Sequence, residues 1–382
     1  MSFNDLYSDS FDEHGEGREY EYALELFKRA CEEGTESGLS LSEDEFIHII
    51  DHFISEDDVQ MVLKVCELAF SQHLYSSEIV IRLVDTLMIG GNVGRALQLL
   101  DEYKDSFPQN ADILLLHAKA NILQGNFDIA NNIVKEIISN EHHTPELAES
   151  VAALAQDCID TGNFEQALKY LLESDRIAPL PIEYSSDIAF CYERLDNMEN
   201  AIIHYNKYLD NDPFNDNVWF NLGTIYAKLN QFDNSIEAFE YSLALNGENS
   251  SSLYNLAVVY LNMERFKESV DTFIKFNECE KDNLSGIIGL ANAYLGLKDY
   301  SAASENFKRA CMLDNECVEA HLGLTAVNAI MDYNAGNKEQ FLMHIGEIMH
   351  KDASWVGTIY RVMPQLLADK EFMDFIERVR KK

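Results

Sequence analysis

Apolar residues along this chain recur on a thirty-four-residue period, most plainly where Trp219, Leu222, Gly223 and Tyr226 are answered by Leu253, Leu256, Ala257 and Tyr260, then by Ile287, Leu290, Ala291 and Tyr294. Steps of three and four inside each set mark one face of a helix. Phe239, Phe273 and Phe307 follow Tyr226, Tyr260 and Tyr294 by thirteen positions and mark a second helix in each period. Neither helix of such a pair can bury its apolar face alone, so successive pairs stack and share one core. The expected architecture is an all-α solenoid of antiparallel helix pairs, with function on the long surface that stacking creates.

These residues resemble the tetratricopeptide repeat: W-x2-L-G-x2-Y, then A-x3-F, then proline. Trp219 to Tyr226 matches the first half letter for letter, and Ala303 with Phe307 matches the second. Ser235 and Ser269 replace the alanine elsewhere; the two helices cross closely there, and serine is still small. Extended backwards, the register passes through Ile188, Ala189, Tyr192, Ala201, Tyr205 and Pro213, and before that through Leu154, Ala155, Cys158, Ala167, Leu171 and Pro179. Further back it runs through Ala118, Ala130, Val134 and Ile137, through Leu83, Val84, Leu87, Ala96, Leu100 and Pro108, and through Ile49, Ile50, Phe53, Val62, Cys66 and Ala69. The prolines cannot continue a helix and mark boundaries between units. The resemblance implies a right-handed superhelix of stacked pairs.

Turn residues support the same register: Gly91-Asn92, Gly125-Asn126, Gly162-Asn163, Asp196-Asn197 and Asn230-Gln231 each separate two helical patterns. Glycine and asparagine accept the left-handed conformation that ends a helix. About nine units are expected over residues 43–351, with starts at 43, 77, 111, 148, 182, 216, 250, 284 and 318. The third exceeds the period by three residues, and its extra length is assigned to the loop Asn140 to Pro145. In the last, Gly336-Asn337 arrives about four residues late. Residues 1–42 read as an acidic, mobile lead followed by a helix from Arg18 to Cys31, and residues 352–382 as C-terminal capping helices.

The formal net charge of -37, from 66 acidic and 29 basic side chains, repels phosphate backbones and anionic lipid heads. Nucleic acid and membrane are therefore not expected partners. The seven cysteines form no C-x-x-C pair and several fall at core positions, so they read as small apolar residues in a reducing compartment. No basic and apolar leader opens the chain, and a cytoplasmic location is expected. The basic end, Arg378 to Lys382, and the acidic start leave head-to-tail self-assembly as the alternative function.

No nucleophile elbow, phosphate loop or zinc-protease helix occurs, so neither enzyme activity nor a cofactor is expected. His142-His143 beside Glu141 lacks the spaced ligands of a closed site, and no metal is expected. The expected function is a non-catalytic interaction scaffold, with a peptide or helix of another protein held against the first helices of successive units. The resemblance places Phe220, Tyr254 and Ile288 at one inward position, Asn221 and Asn255 at the next, and Thr224, Val258 and Asn292 one turn further on, with Lys228 at the edge. Asparagine amides hydrogen-bond an extended backbone while the apolar column takes its side chains. The clamp of Lys, Asn, Asn, Lys and Arg with which some members hold a C-terminal carboxylate is missing: Phe220, Ser285 and Gly289 stand at three of its cationic positions. Acidic residues such as Glu183, Asp187 and Glu193 point to a neutral or basic ligand over residues 148–215.

Overall fold

A side chain able to accept a backbone N–H stands at Ser42, Ser76, Asn110 and Thr144, each thirty-four residues after the last, and again at Asn215, Asn249 and Asn283. In the structure, a computed structural model, each of these residues caps the helix that follows it. Such a cap stabilises its helix by about 1 kcal/mol. At Ser42 the cap is a full box, because the Glu45 carboxylate accepts from the Ser42 backbone N–H in return at 2.7 Å. The structure describes residues 17–104, 106, 107 and 110–380; the acidic lead, Pro108, Lys381 and Lys382 fall outside the described residues.

The helices divide between two compact units, each with its own cores. In the first, α1 (Gly17–Glu33) precedes the pairs α2 (Glu43–Ser55) with α3 (Val59–Gln72), α4 (Ser77–Ile89) with α5 (Val93–Tyr103), α6 (Ala111–Leu123) with α7 (Phe127–Asn140), and α8 (Pro145–Asp160) with α9 (Phe164–Ile177). The first unit closes with α10 (Tyr184–Arg194). The second opens with α11 (Met198–Leu209) and continues with α12 (Asp216–Lys228) and α13 (Phe232–Leu245), α14 (Ser250–Asn262) and α15 (Phe266–Cys279), α16 (Leu284–Gly296) and α17 (Tyr300–Leu313), and α18 (Val318–Asn334) and α19 (Lys338–Lys351). It ends in α20 (Ser354–Val362), a 3-10 turn at Pro364–Ala368 and α21 (Lys370–Arg380). Among the described residues there is no strand.

Every turn inside a pair carries one residue in the left-handed region: Asp57, Gly91, Gly125, Gly162, Asp196, Asn230, Glu264, Lys298 and Gly336. The residue after it donates its N–H to a carbonyl five positions earlier, as from Asn126 to Asn121 and from Arg265 to Tyr260, which closes the first helix. Glu264 at φ 56 and Lys298 at φ 63 lack the tolerance of glycine or asparagine, and this conformation costs such residues about 1–2 kcal/mol.

The three residues that lengthen the third period do not lie in the loop Asn140 to Pro145. Thr144 keeps the thirty-four-residue rhythm of caps, and Pro145, whose fixed φ suits a first helical position, starts α8. The extra residues lengthen α8 itself, to 16 residues against 13 in α4 and α6. Likewise α18 has 17 residues, so that Gly336 arrives late.

In the second unit Phe239, Phe273 and Phe307 are fully buried at 0 % exposure, each contributing about 2–3 kcal/mol by burial. Glycines seat their rings: a Cβ on Gly223 would lie 2.8 Å from Phe239, and Cβ atoms on Gly289 and Gly323 would lie 2.3 Å from Phe273 and Phe307. The two serines at the close crossing are more than small. Ser235 Oγ donates to the Gly223 carbonyl and Ser269 Oγ to the Ala257 carbonyl, both at 2.8 Å, fastening the two helices of a pair to each other.

Candidate functional site

The first helices α12, α14 and α16 bring the eight expected contact residues onto neighbouring elements of the second unit. Phe220 and Tyr254 are half-buried: the Phe220 ring lies 6.0 Å from that of Phe239, and the Tyr254 ring lies 5.9 Å from Phe273 and 5.3 Å from Phe276. Ile288, at 6 % exposure, belongs to the core and presents little surface to a ligand. Val258 is half-buried against the core of its own pair. Thr224 Oγ1 donates to the Phe220 carbonyl at 3.0 Å, and Asn255 Nδ2 to the Ser251 carbonyl at 3.0 Å. The half-buried amides of Asn221 and Asn292 have no hydrogen-bond partner among the described residues.

The corresponding helices of the first unit carry charge instead. Buried Arg82 on α4 pairs with Asp51 of α2 and, at 3.1 Å, with Glu78 one turn away. Lys119 on α6 lies 3.6 Å from Asp85 and also faces Asp157 of α8. Burial pushes the Asp157 carboxyl up to about 6; Lys119 opposes the shift, while Asp160 and Asp85 add to it. Asp187 on α10 is likewise pushed up by burial. Glu183 lies exposed just ahead of that helix.

A cavity of about 380 Å³ opens in the second unit between the C-terminal ends of α14 and α16 and the helix α20. Asn292 lines it, as do Glu264 and Lys298, the two strained turn residues. From α20 come Trp355 and Arg361. The Trp355 ring stands edge-on to Phe307 with centroids 6.3 Å apart. Sequence reasoning missed this site because it treated the last thirty residues as a cap. A signal was present: Trp355, Ile359 and Val362 follow one another at steps of four and three, the spacing of one helix face.

Three family models match successive stretches of the chain. Residues 58–176 match Iml2/Tetratricopeptide repeat protein 39, residues 194–276 match anaphase-promoting complex, cyclosome, subunit 3, and residues 287–317 match the tetratricopeptide repeat itself. The chain is a tetratricopeptide-repeat protein. No curated protein sequence matches it. Among solved structures, the C-terminal part of a tetratricopeptide-repeat protein from Cytophaga hutchinsonii shares 16% identity over 64% of this chain and 99% of its own, with a TM-score of 0.54. YrrB, described as a TPR protein with an unusual peptide-binding site, shares 15% identity over 49% of this chain and 95% of its own, with a TM-score of 0.44. MamA from Desulfovibrio magneticus shares 17% identity over 45% of this chain and 96% of its own, with a TM-score of 0.40.

Tetratricopeptide-repeat proteins are in general non-catalytic interaction scaffolds, and this chain shares that architecture. At one of the three cationic positions of the missing clamp, packing leaves no room for a side chain. Gly289 stands where a cationic side chain would be needed, and the Phe273 ring already fills the space of its Cβ. Among the described residues no helix is long and apolar enough to cross a membrane, and no group of His, Cys, Asp and Glu is arranged to hold a metal. All seven cysteines are free thiols; burial pushes those of Cys66, Cys158 and Cys191 up to about 12, which keeps them protonated and inert.

Proposed function

We propose that this tetratricopeptide-repeat protein holds an extended segment or helix of another protein against the first helices of its second unit. The observation that carries the reading is the pair of half-buried, unpartnered amides on α12 and α16, Asn221 and Asn292. Each is an unused donor and acceptor beside the half-buried apolar side chains Phe220, Tyr254 and Val258. A peptide backbone would satisfy the amides while its side chains cover the apolar positions. The scaffold needs little rearrangement to do this, because stacked pairs hold the positions at fixed intervals.

The expected partner segment is neutral to basic. That expectation concerns residues 148–215, where burial pushes the carboxyls of Asp157 and Asp187 up and a cation beside them would oppose the shift. The net charge of -37 argues against nucleic acid and anionic membranes as partners. Panning a random dodecapeptide library on the intact chain tests the groove. Asn221→Ala combined with Asn292→Ala should leave helicity and Tm unchanged and weaken the recovered peptides by about tenfold, the worth of one or two hydrogen bonds. Undiminished binding would remove the groove.

Self-assembly through the terminal repeats is the second reading, motivated by a basic C-terminal end opposite an acidic lead. Light scattering decides it, by comparing the intact chain with one ending at residue 351; an intact chain that stays monomeric at all concentrations excludes this reading.

A further inference from the structure

Seven of the nine turns inside the pairs hold Gly, Asn or Asp at the left-handed position, residues that accept this backbone readily. The two exceptions, Glu264 and Lys298, are the two that rim the cavity beneath α20. A long charged side chain on a backbone that favours glycine is explained only by what the side chain does. In the folded chain neither does anything: both are exposed, and neither enters an ion pair or side-chain hydrogen bond with a described residue. Two more charges line the same cavity, Glu319 at the start of α18 and Arg361 on α20, and they too are exposed and unpaired among the described residues. Trp355, half-buried, and the amide of Asn292 line the cavity with them.

We infer that this cavity is a specificity pocket for a partner segment in which one apolar side chain stands between an acidic and a basic residue. The inference rests on the reading of the chain as a peptide-holding scaffold and adds which residues of the segment are selected. Its volume of about 380 Å³ admits one large side chain with its flanking backbone. The apolar residue packs on the indole of Trp355. The acidic neighbour pairs with Lys298 and Arg361, and the basic neighbour with Glu264 and Glu319. Asn292 serves the backbone between them. A single-sign segment leaves two of the four charges unanswered and an uncharged one leaves all four, and this is the source of selection. Because α20 forms one wall, the pocket exists only when the C-terminal helices are in place.

The intact chain is panned with the random dodecapeptide library, and the recovered peptides are then measured against Glu264→Gly, Lys298→Gly and the double asparagine variant. Binding is followed by the emission of Trp355 in a Trp219→Phe background, which leaves one tryptophan of the two. The expected result is a recovered class carrying the acidic, apolar and basic triad that shifts Trp355 emission. Each glycine variant should bind that class at least about tenfold more weakly while melting at a higher temperature than the parent. Lys298→Gly, which leaves only Arg361 to meet the acid, should narrow the difference between a triad peptide and its counterpart without the acid. Peptides that bind the glycine variants as well as the parent but lose affinity to the asparagine variant would overturn the pocket and leave the groove standing. Peptides indifferent to all three variants, or none recovered at all, would overturn both. A fall in Tm on either glycine substitution would overturn the argument from strain.

Discussion

Replacing Gly289 by alanine should destabilise the chain even though alanine is the better helix former. Free of its surroundings, the change in mid-helix is worth about 1 kcal/mol in favour of alanine. Here the new Cβ would lie 2.3 Å from Cζ and 2.5 Å from Cε1 of Phe273, where carbon atoms rest at about 3.5–4.0 Å. The ring is rigid, fully buried and set edge-on against Tyr254 at 5.9 Å, so it cannot swing away without disturbing a second aromatic. Overpacking of this kind costs about 1–3 kcal/mol, and with contacts this short the upper part of that range applies. Subtracting the gain in propensity leaves a loss of about 1–2 kcal/mol. Gly346→Ala is the internal control: it is also mid-helix, but its Cβ would meet only Phe375, at an ordinary 3.6 Å. It should stabilise by up to about 1 kcal/mol.

Long repeat arrays need not unfold in one step, so the two variants are best compared by amide hydrogen exchange, on α16 for Gly289 and on α19 for Gly346, with urea melts alongside. Protection should fall for the first and rise for the second. If both substitutions raise protection, the glycine at this position is not a seat for the ring, and the packing account of this clamp position falls with it.

Asp157 makes stability depend on pH. Its carboxyl is pushed up to about 6 from 3.8, so the folded chain holds this proton more tightly than the unfolded one. Its contribution, on the order of 3 kcal/mol, is therefore full below about pH 4 and lost as the pH rises through about 6. Asp157→Asn should raise Tm at pH 7 and flatten the pH profile between 4 and 6 relative to the parent; an unchanged profile would refute the assignment. Ser235→Ala and Ser269→Ala each remove a buried hydrogen bond between paired helices and should cost about 1 kcal/mol in urea melts, although alanine is the residue this repeat ordinarily carries there. Glu264→Gly, which relieves a strained turn but adds freedom to the unfolded chain, should raise stability by up to about 1 kcal/mol.

The repeat was legible because each of its marks has a local physical cause. Apolar spacing, small residues at the crossing and left-handed turn formers each constrain a few neighbouring positions, and their agreement fixes the register from Ile49 to Phe307. What misplaced the extra length near Pro145 was reading the turn before the cap: Thr144 has a short-range job, capping α8, that the apolar pattern does not record. The surface was less legible. Nothing in the letters distinguishes Asn221, whose amide is unused, from Asn255, which bonds back to Ser251. The charged cavity was harder still, since Glu264, Lys298 and Arg361 come together only through the packing of three separate helix pairs. Glu264 and Lys298 could have been found from the register, as long charged residues at the turn position where glycine or asparagine is the rule.

The ring-on-glycine seats of the second unit also determine how it responds to tension. Each seat joins one helix only to its partner or to the next pair, so a pull along the chain loads them in series rather than together. Contacts in series bear the same force and the weakest yields first: α20, whose Gly357 seats no ring, is expected to part from the wall of the charged cavity before Phe273 leaves its seat on Gly289. A partner held in that cavity would be released under traction that leaves the contact face of α12 and α14 intact. The unit would then behave as a slip joint at one end and a rigid comb at the other.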